Sequence, residues 1–254
     1  MTNTQSKQNK RENMKRSAPT YTAGKKSRST APKYTKSYPA PQQAKPEKKG
    51  VDFDISNAAI VDTTNTNDDI AVMNLIQSGN GSWNRIGRKV KLDSIRLKGV
   101  AECIIGLDGS NHLYGSALRM LLVWDKQPSS GTIPTFDDIF GITEQDGTES
   151  STVMAPPRYD NMDRFRVLMD KTLHANPDVY NAGAGGDNYF VTPFDYYVKL
   201  RGCESNYSGQ SQPMTIADIS SGALYLVYRA TENTAGSKAW QVQSSSVARL
   251  RYTD

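Results

Sequence analysis

Histidine and cysteine are nearly missing from this chain, with two of each among 254 residues. The histidines, His112 and His174, have no carboxylate, nucleophile or second histidine at ligand spacing, so no zinc site and no histidine-based catalytic pair is readable. Cys103 and Cys203 lie a hundred positions apart in strand-like segments without metal or redox spacing. They read as small buried hydrophobes, with a disulfide as the alternative. No apolar run approaches the ~20 residues a membrane helix needs; the longest, Leu118 to Trp124, is interrupted by Arg119. The N-terminus is charged from Lys7 onward with no apolar leader, so the protein is expected to be soluble and made in a reducing compartment. Helical periodicity never reaches three turns. These absences argue against a metalloenzyme, a membrane protein and a helical bundle, and no cofactor, metal or enzymatic role is expected.

A second absence is local. Residues 1 to 50 contain no Val, Leu, Ile, Phe, Trp or Cys, so nothing there buries enough apolar surface to offset the entropy of ordering the backbone. Residues 1 to 49 carry thirteen Lys and Arg against Glu12 and Glu47, a net charge of +11. The remaining residues hold 18 basic and 24 acidic side chains, a net charge of −6. The overall +5 therefore describes neither part. Such asymmetry marks a nucleic-acid-binding tail, and residues 1–50 are expected to form an unstructured basic arm ahead of a folded domain, 51–254. Its phosphate-facing cations are Lys7, Lys10, Arg11, Lys15, Arg16, Lys25, Lys26, Arg28, Lys33 and Lys36. Tyr21, Tyr34 and Tyr38 could stack on unpaired bases; ordinary polar-linker tyrosine is the other reading.

From Val51 the composition reverses. Segments rich in β-branched and aromatic residues alternate with Gly, Pro, Asn, Asp and Ser clusters. Strands are expected near 52–62, 70–77, 88–105, 117–125, 163–174, 194–204, 222–231 and 240–253, with one short helix at Thr135 to Phe140 behind Pro134 and Thr135. Two long irregular stretches, Lys126 to Asn161 and Asn176 to Pro193, suit a jelly roll better than the tighter hairpins of an immunoglobulin-like sandwich. The expected fold is all-β: an eight-stranded antiparallel jelly roll with a basic N-terminal arm.

Within this domain the informative run is Arg85-Ile86-Gly87-Arg88-Lys89-Val90-Lys91-Leu92, followed by Ile95-Arg96-Leu97-Lys98. Apolar and basic residues alternate, and the phase slips at Asp93-Ser94, which predicts a strand with a basic face and a bulge. Arg85, Arg88, Lys89, Lys91, Arg96 and Lys98 are thus candidates to extend the phosphate-facing surface, although a basic face can also be mere solvation. The adjacent carboxylates Asp68-Asp69 and Asp137-Asp138 could join a divalent-cation site at a subunit boundary or simply be solvated. Gly79-Asn80-Gly81 and Gly183 to Gly186 read as turns, lacking the context of a phosphate loop. Asn206-Tyr207-Ser208 fits a glycosylation acceptor but has no secretory route. Trp83 and Trp240 are candidate interface anchors, and Trp124 is a core residue.

Five blocks in this order resemble the capsid proteins of small circular single-stranded DNA viruses that encode a replication initiator, the circovirus-like and geminivirus-like group. They are Asn74-Leu75-Ile76-Gln77-Ser78-Gly79, Arg85 to Lys89, Arg119 to Pro128, Pro134 to Ile139, and Arg164 to Lys171. The resemblance implies a coat subunit that assembles with itself into a small icosahedral shell around single-stranded DNA, present in the virion and, before assembly, in the host nucleus. Lys10, Arg11, Lys15, Arg16, Lys25, Lys26 and Arg28 could be read by nuclear import receptors. Two rivals remain: a nucleic-acid-binding protein that does not assemble, and a carbohydrate-active jelly roll, which should gather acids and Trp on one concave face.

Overall fold

A computed structural model describes residues 47–60, 69–105, 117–128, 131–145, 147–174, 188–231 and 240–254. The expectations for the arm, for His112, for Asp68 and for Gly183 to Gly186 lie outside these residues. Most of the described chain is strand: β1 (Lys48–Asp54), β2 (Asn57–Ile60), β3 (Ile70–Val72), β4 (Lys89–Ile105) and β5 (Ala117–Asp125) come first. Helix α1 (Phe136–Ile139) and the small hairpin β6 (Ile142–Thr143) and β7 (Glu149–Ser150) follow. Then come β8 (Phe165–His174), β9 (Asn188–Tyr207), β10 (Ile219–Ser221), β11 (Ala223–Ala230), β12 (Trp240–Val242) and β13 (Val247–Thr253).

Two sheets carry the domain, and every pairing between their strands is antiparallel. In the first, the long β4 pairs with β9 along one side and with β13 and then β12 along the other. β1 and β2 flank β13 and β12, and β10 lies against the end of β9. In the second sheet the order is β3-β11-β5-β8. Counted as the eight expected segments, the orders are first-eighth-third-sixth and second-seventh-fourth-fifth. That is a jelly-roll sandwich.

The two sheets are covered differently. β5 and β11 are buried at every position, because the second sheet is covered on both faces. Its inner face meets the first sheet. Its other face lies under the 126–164 connection, where Arg119 and Arg229 stack on Phe140 and Phe136 at 5.1 and 4.8 Å. Arg119 also holds Asp170 through both nitrogens and donates to the Val153 and Ala155 carbonyls. Strands of the first sheet alternate instead: in β4, Val90, Leu92, Ile95 and Leu97 are buried while Lys89, Lys91, Arg96 and Lys98 are exposed. One face of this sheet is therefore bare.

Several expectations need revision. The first strand begins at Lys48, so Lys48 and Lys49 belong to the sheet and not to the arm with which they were counted. Lys49 is buried, bonding the Asp254 carboxylate and the Asn84 carbonyl. The expected 52–62 strand breaks at Ile55 and Ser56 into β1 and β2. The expected 70–77 strand stops at Val72 because the buried Asn74 amide takes over the pairing. It accepts from the Leu224 N–H and donates to the Gly222 carbonyl and Ser205 hydroxyl. β9 starts six residues before the expected 194 and contains Pro193, which an edge position tolerates. The short helix forms as read, with a Thr135–Asp138 capping box. Its carboxylates are occupied: Asp138 caps the Thr135 N–H, and Asp137 accepts from the Ser151 hydroxyl. Cys103 and Cys203 are buried thiols, with no disulfide.

Candidate nucleic-acid interface

The bare face of the first sheet is assembled from alternation. On β4 the outward set is Lys89 and Lys91, then Arg96 and Lys98, and the pairing register breaks between Leu92 and Ser94. The phase slip read at Asp93-Ser94 is thus a bulge that returns Ile95 and Leu97 to the core and keeps the cations outside. Neighbouring strands add outward cations that the sequence reading passed over: Arg249 and Arg251 on β13, Lys199 on β9 and Lys48 on β1. Their signal was the same alternation, in Val247-Ala248-Arg249-Leu250-Arg251-Tyr252 and Tyr197-Val198-Lys199-Leu200. The face holds eight exposed cations against the exposed carboxylates Asp52, Asp54, Asp195 and Glu204. It reverses the anionic balance of the body that carries it.

Cross-strand pairing distributes these charges. Arg249 clamps Asp52 through both nitrogens at 2.7 Å, and Arg96 clamps Asp195 at 2.7 and 2.5 Å. Lys89 pairs with Glu204 at 2.6 Å. These bonds, from Arg249, Arg96 and Lys89 respectively, hold all three carboxyls below their ordinary values. Exposed pairs of this kind add little stability. They do orient the guanidinium groups. Lys48, Lys91, Lys98, Arg251 and Lys199 form no salt bridge among the described residues. Five cations thus remain available to an outside anion.

Two candidates change role. Arg85 is 1% exposed. It donates to the carbonyls of Ile76, Gly87 and Gly209 and lies 4.3 Å over the Tyr207 ring. It cannot meet a phosphate; it ties the turn before β4 to the segment after β9. Trp240 is fully buried beside Cys103 and Ile60, leaving Trp83, 59% exposed, as the remaining anchor of the pair. Trp124 is buried, as read.

The start of β1 is fixed by its first two residues. Lys48 pairs with Thr253, and the Lys49–Asp254 bond sits against the 84–86 turn, with Asp254 accepting the Ile86 N–H. The first strand therefore begins level with Lys91, with β13 between them. The arm candidates Lys7, Lys10, Arg11, Lys15, Arg16, Lys25, Lys26, Arg28, Lys33 and Lys36 lie outside the described residues. Among the described residues no group of three His, Cys, Asp or Glu side chains is arranged to hold a metal ion. None of their helices is long and apolar enough to cross a membrane.

Comparison with known proteins gives one family. The model described as geminivirus coat protein/nuclear export factor BR1 family matches residues 2–247. No curated protein matches the chain.

Proposed function

The chain belongs to the geminivirus coat protein/nuclear export factor BR1 family, and on that premise we propose that it is a viral coat subunit that assembles with itself around single-stranded DNA. Coat proteins of this family are structural, and the role proposed involves no catalysis. The observation that carries the reading is the division of charge. The arm is strongly cationic and the body is anionic overall, yet one sheet face of that body is basic. Copies with anionic outer surfaces avoid the repulsion that all-cationic subunits would suffer, while arm and basic face meet the genome.

The contact is electrostatic. Arm cations displace counterions from the packaged strand without reading its bases, so affinity falls steeply with salt. Residues Lys10, Arg11, Lys15, Arg16, Lys25, Lys26 and Arg28 would also serve nuclear import receptors before assembly, placing the protein in the host nucleus and then in the virion. Nuclear accumulation of a fluorescent fusion lacking residues 1 to 30 would eliminate that import role.

A second reading, a transport protein that binds nucleic acid without assembling, is favoured by the family's own description, which joins coat proteins to a nuclear export factor. Particle size separates the two. Mixing purified chain with circular single-stranded DNA should give uniform closed particles in negative-stain microscopy and sedimentation. A chain that stays monomeric across salt, pH and added DNA would remove the coat reading.

A further inference from the structure

On the bare face of the first sheet lies a cleft of about 540 Å³, within the ~300–1,000 Å³ range of small-molecule sites. Its origin is a row of small residues. Gly50 and Ser94 flank Arg251 on the adjoining strands, so a hollow forms where the next row carries Asp52, Arg249, Arg96 and Tyr197. Arg251 and Lys98 line it and form no salt bridge among the described residues, Lys98 facing Asp195 across the strands. Tyr197 stands at the other side, 59% exposed on an outward β9 position.

A 59%-exposed Tyr ring on a sheet face gains nothing from the core. It stands two strands and two residues along from Arg251, about 12 Å at the normal strand spacing and rise, with the Arg96–Asp195 clamp fixing the side chains between. An aromatic face beside unpaired cations is the arrangement that holds an unstacked base and its phosphate together. Paired bases keep their faces inside the duplex and could not use it.

We propose that this cleft is a nucleotide seat, in which Tyr197 stacks on an unpaired base of the bound strand while Arg251 and Lys98 take its flanking phosphates. The proposal rests on the nucleic-acid reading above and adds selection for single strands, which counterion release by the arm does not supply. It does not discriminate among base identities, since every base offers a π-face.

The test uses the full chain at raised salt, where the arm's contribution is suppressed, with oligothymidylate and a duplex of equal length as probes. Tyr197→Ala should lower affinity for the single strand about tenfold, leaving duplex affinity and the salt slope unchanged, and Tyr197→Phe should restore it. Arg251→Gln should weaken both probes and reduce the single-strand salt slope by about 0.7. Photo-cross-linking of an iodouracil-substituted oligonucleotide should label the peptide containing Tyr197. Thermal melting equal to wild type controls for folding, as expected for exposed side chains.

Equal single-strand affinity in Tyr197→Ala, or cross-links confined to other peptides, would overturn the seat while leaving the coat reading intact. Failure of the unsubstituted chain to bind either probe, even at low salt, would instead sink the nucleic-acid reading itself. Loss of particles in Tyr197→Ala with unchanged oligonucleotide affinity would also overturn the seat. In that case the cleft would take a second copy, whose acidic 137–163 stretch exposes Met154, Tyr159 and Met162.

Discussion

Two arginines only three positions apart separate stability from binding. Arg85 satisfies three carbonyls from inside the turn before β4, whereas Arg88 is exposed at the strand's entrance. Removing a buried cation strands the carbonyls it served, at ~1–3 kcal/mol each. Arg85→Ala should therefore lower unfolding free energy by at least ~3 kcal/mol in urea titration, with oligonucleotide affinity of the folded fraction retained. Arg88→Ala should leave the urea midpoint within about 0.5 kcal/mol of wild type and reduce the salt slope of single-strand binding by about 0.7. Sequence could not separate the two. Both stand in the same basic run, and the partners that bury Arg85, Tyr207 and Gly209, arrive from more than a hundred residues downstream. Trp240 was misplaced for a related reason: its neighbours Cys103 and Ile60 are brought to it only by sheet pairing.

At the scale of elements, legibility followed the period. All eight strand segments announced themselves by alternation or by β-branched runs, and even the bulge in β4 showed as a slip of one residue. Where local propensity and tertiary packing disagreed, the breaks were invisible, as at Val72, where an Asn side chain replaces the ladder. Another such break is Gly222. There the chain leaves β10, in the first sheet, and enters β11, in the second. Gly222 has φ of +75°, and an added Cβ would lie 2.4 Å from the Glu204 carbonyl oxygen and 2.7 Å from the Trp124 ring. Gly222→Ala combines left-handed strain with overpacking and should cost roughly 2–4 kcal/mol, read as a lowered melting temperature. The Lys126 to Asn161 stretch was legible as irregular, but its role as a cover was not. Nothing local says that Phe136 and Phe140 will lie on arginines from two strands of a sheet.

For the whole molecule, the arm and the sheet face should add in binding. Deleting residues 1 to 44 removes ten cations, so the slope of log affinity against log salt should fall by up to about 7, with weak binding left to the body. Acid should pull stability and binding in opposite directions. Asp52, Asp195 and Glu204 are held below their ordinary values of 3.8 and 4.5, so they titrate at lower pH folded than unfolded. Their contribution to stability is fully present above the unfolded values and is lost as pH falls through the folded ones. The same protonation releases Arg249, Arg96 and Lys89. Melting temperature should therefore decline below about pH 4, while single-strand affinity of the still-folded protein rises. A decline in both would count against the ion pairs as competitors of phosphate.

The brace formed by Lys49 gives the subunit a mechanical property. A strand held to the arm and tugged along the axis of β1 would load the seven-residue ladder with β13 in shear, so its hydrogen bonds would resist together instead of opening one by one. Lys49, buried between Asp254 and the Asn84 carbonyl, is the first rivet on that seam. In force spectroscopy with a handle at position 44, Lys49→Met should rupture at lower load than wild type. Equal rupture forces would mean that the ladder alone bears the tension.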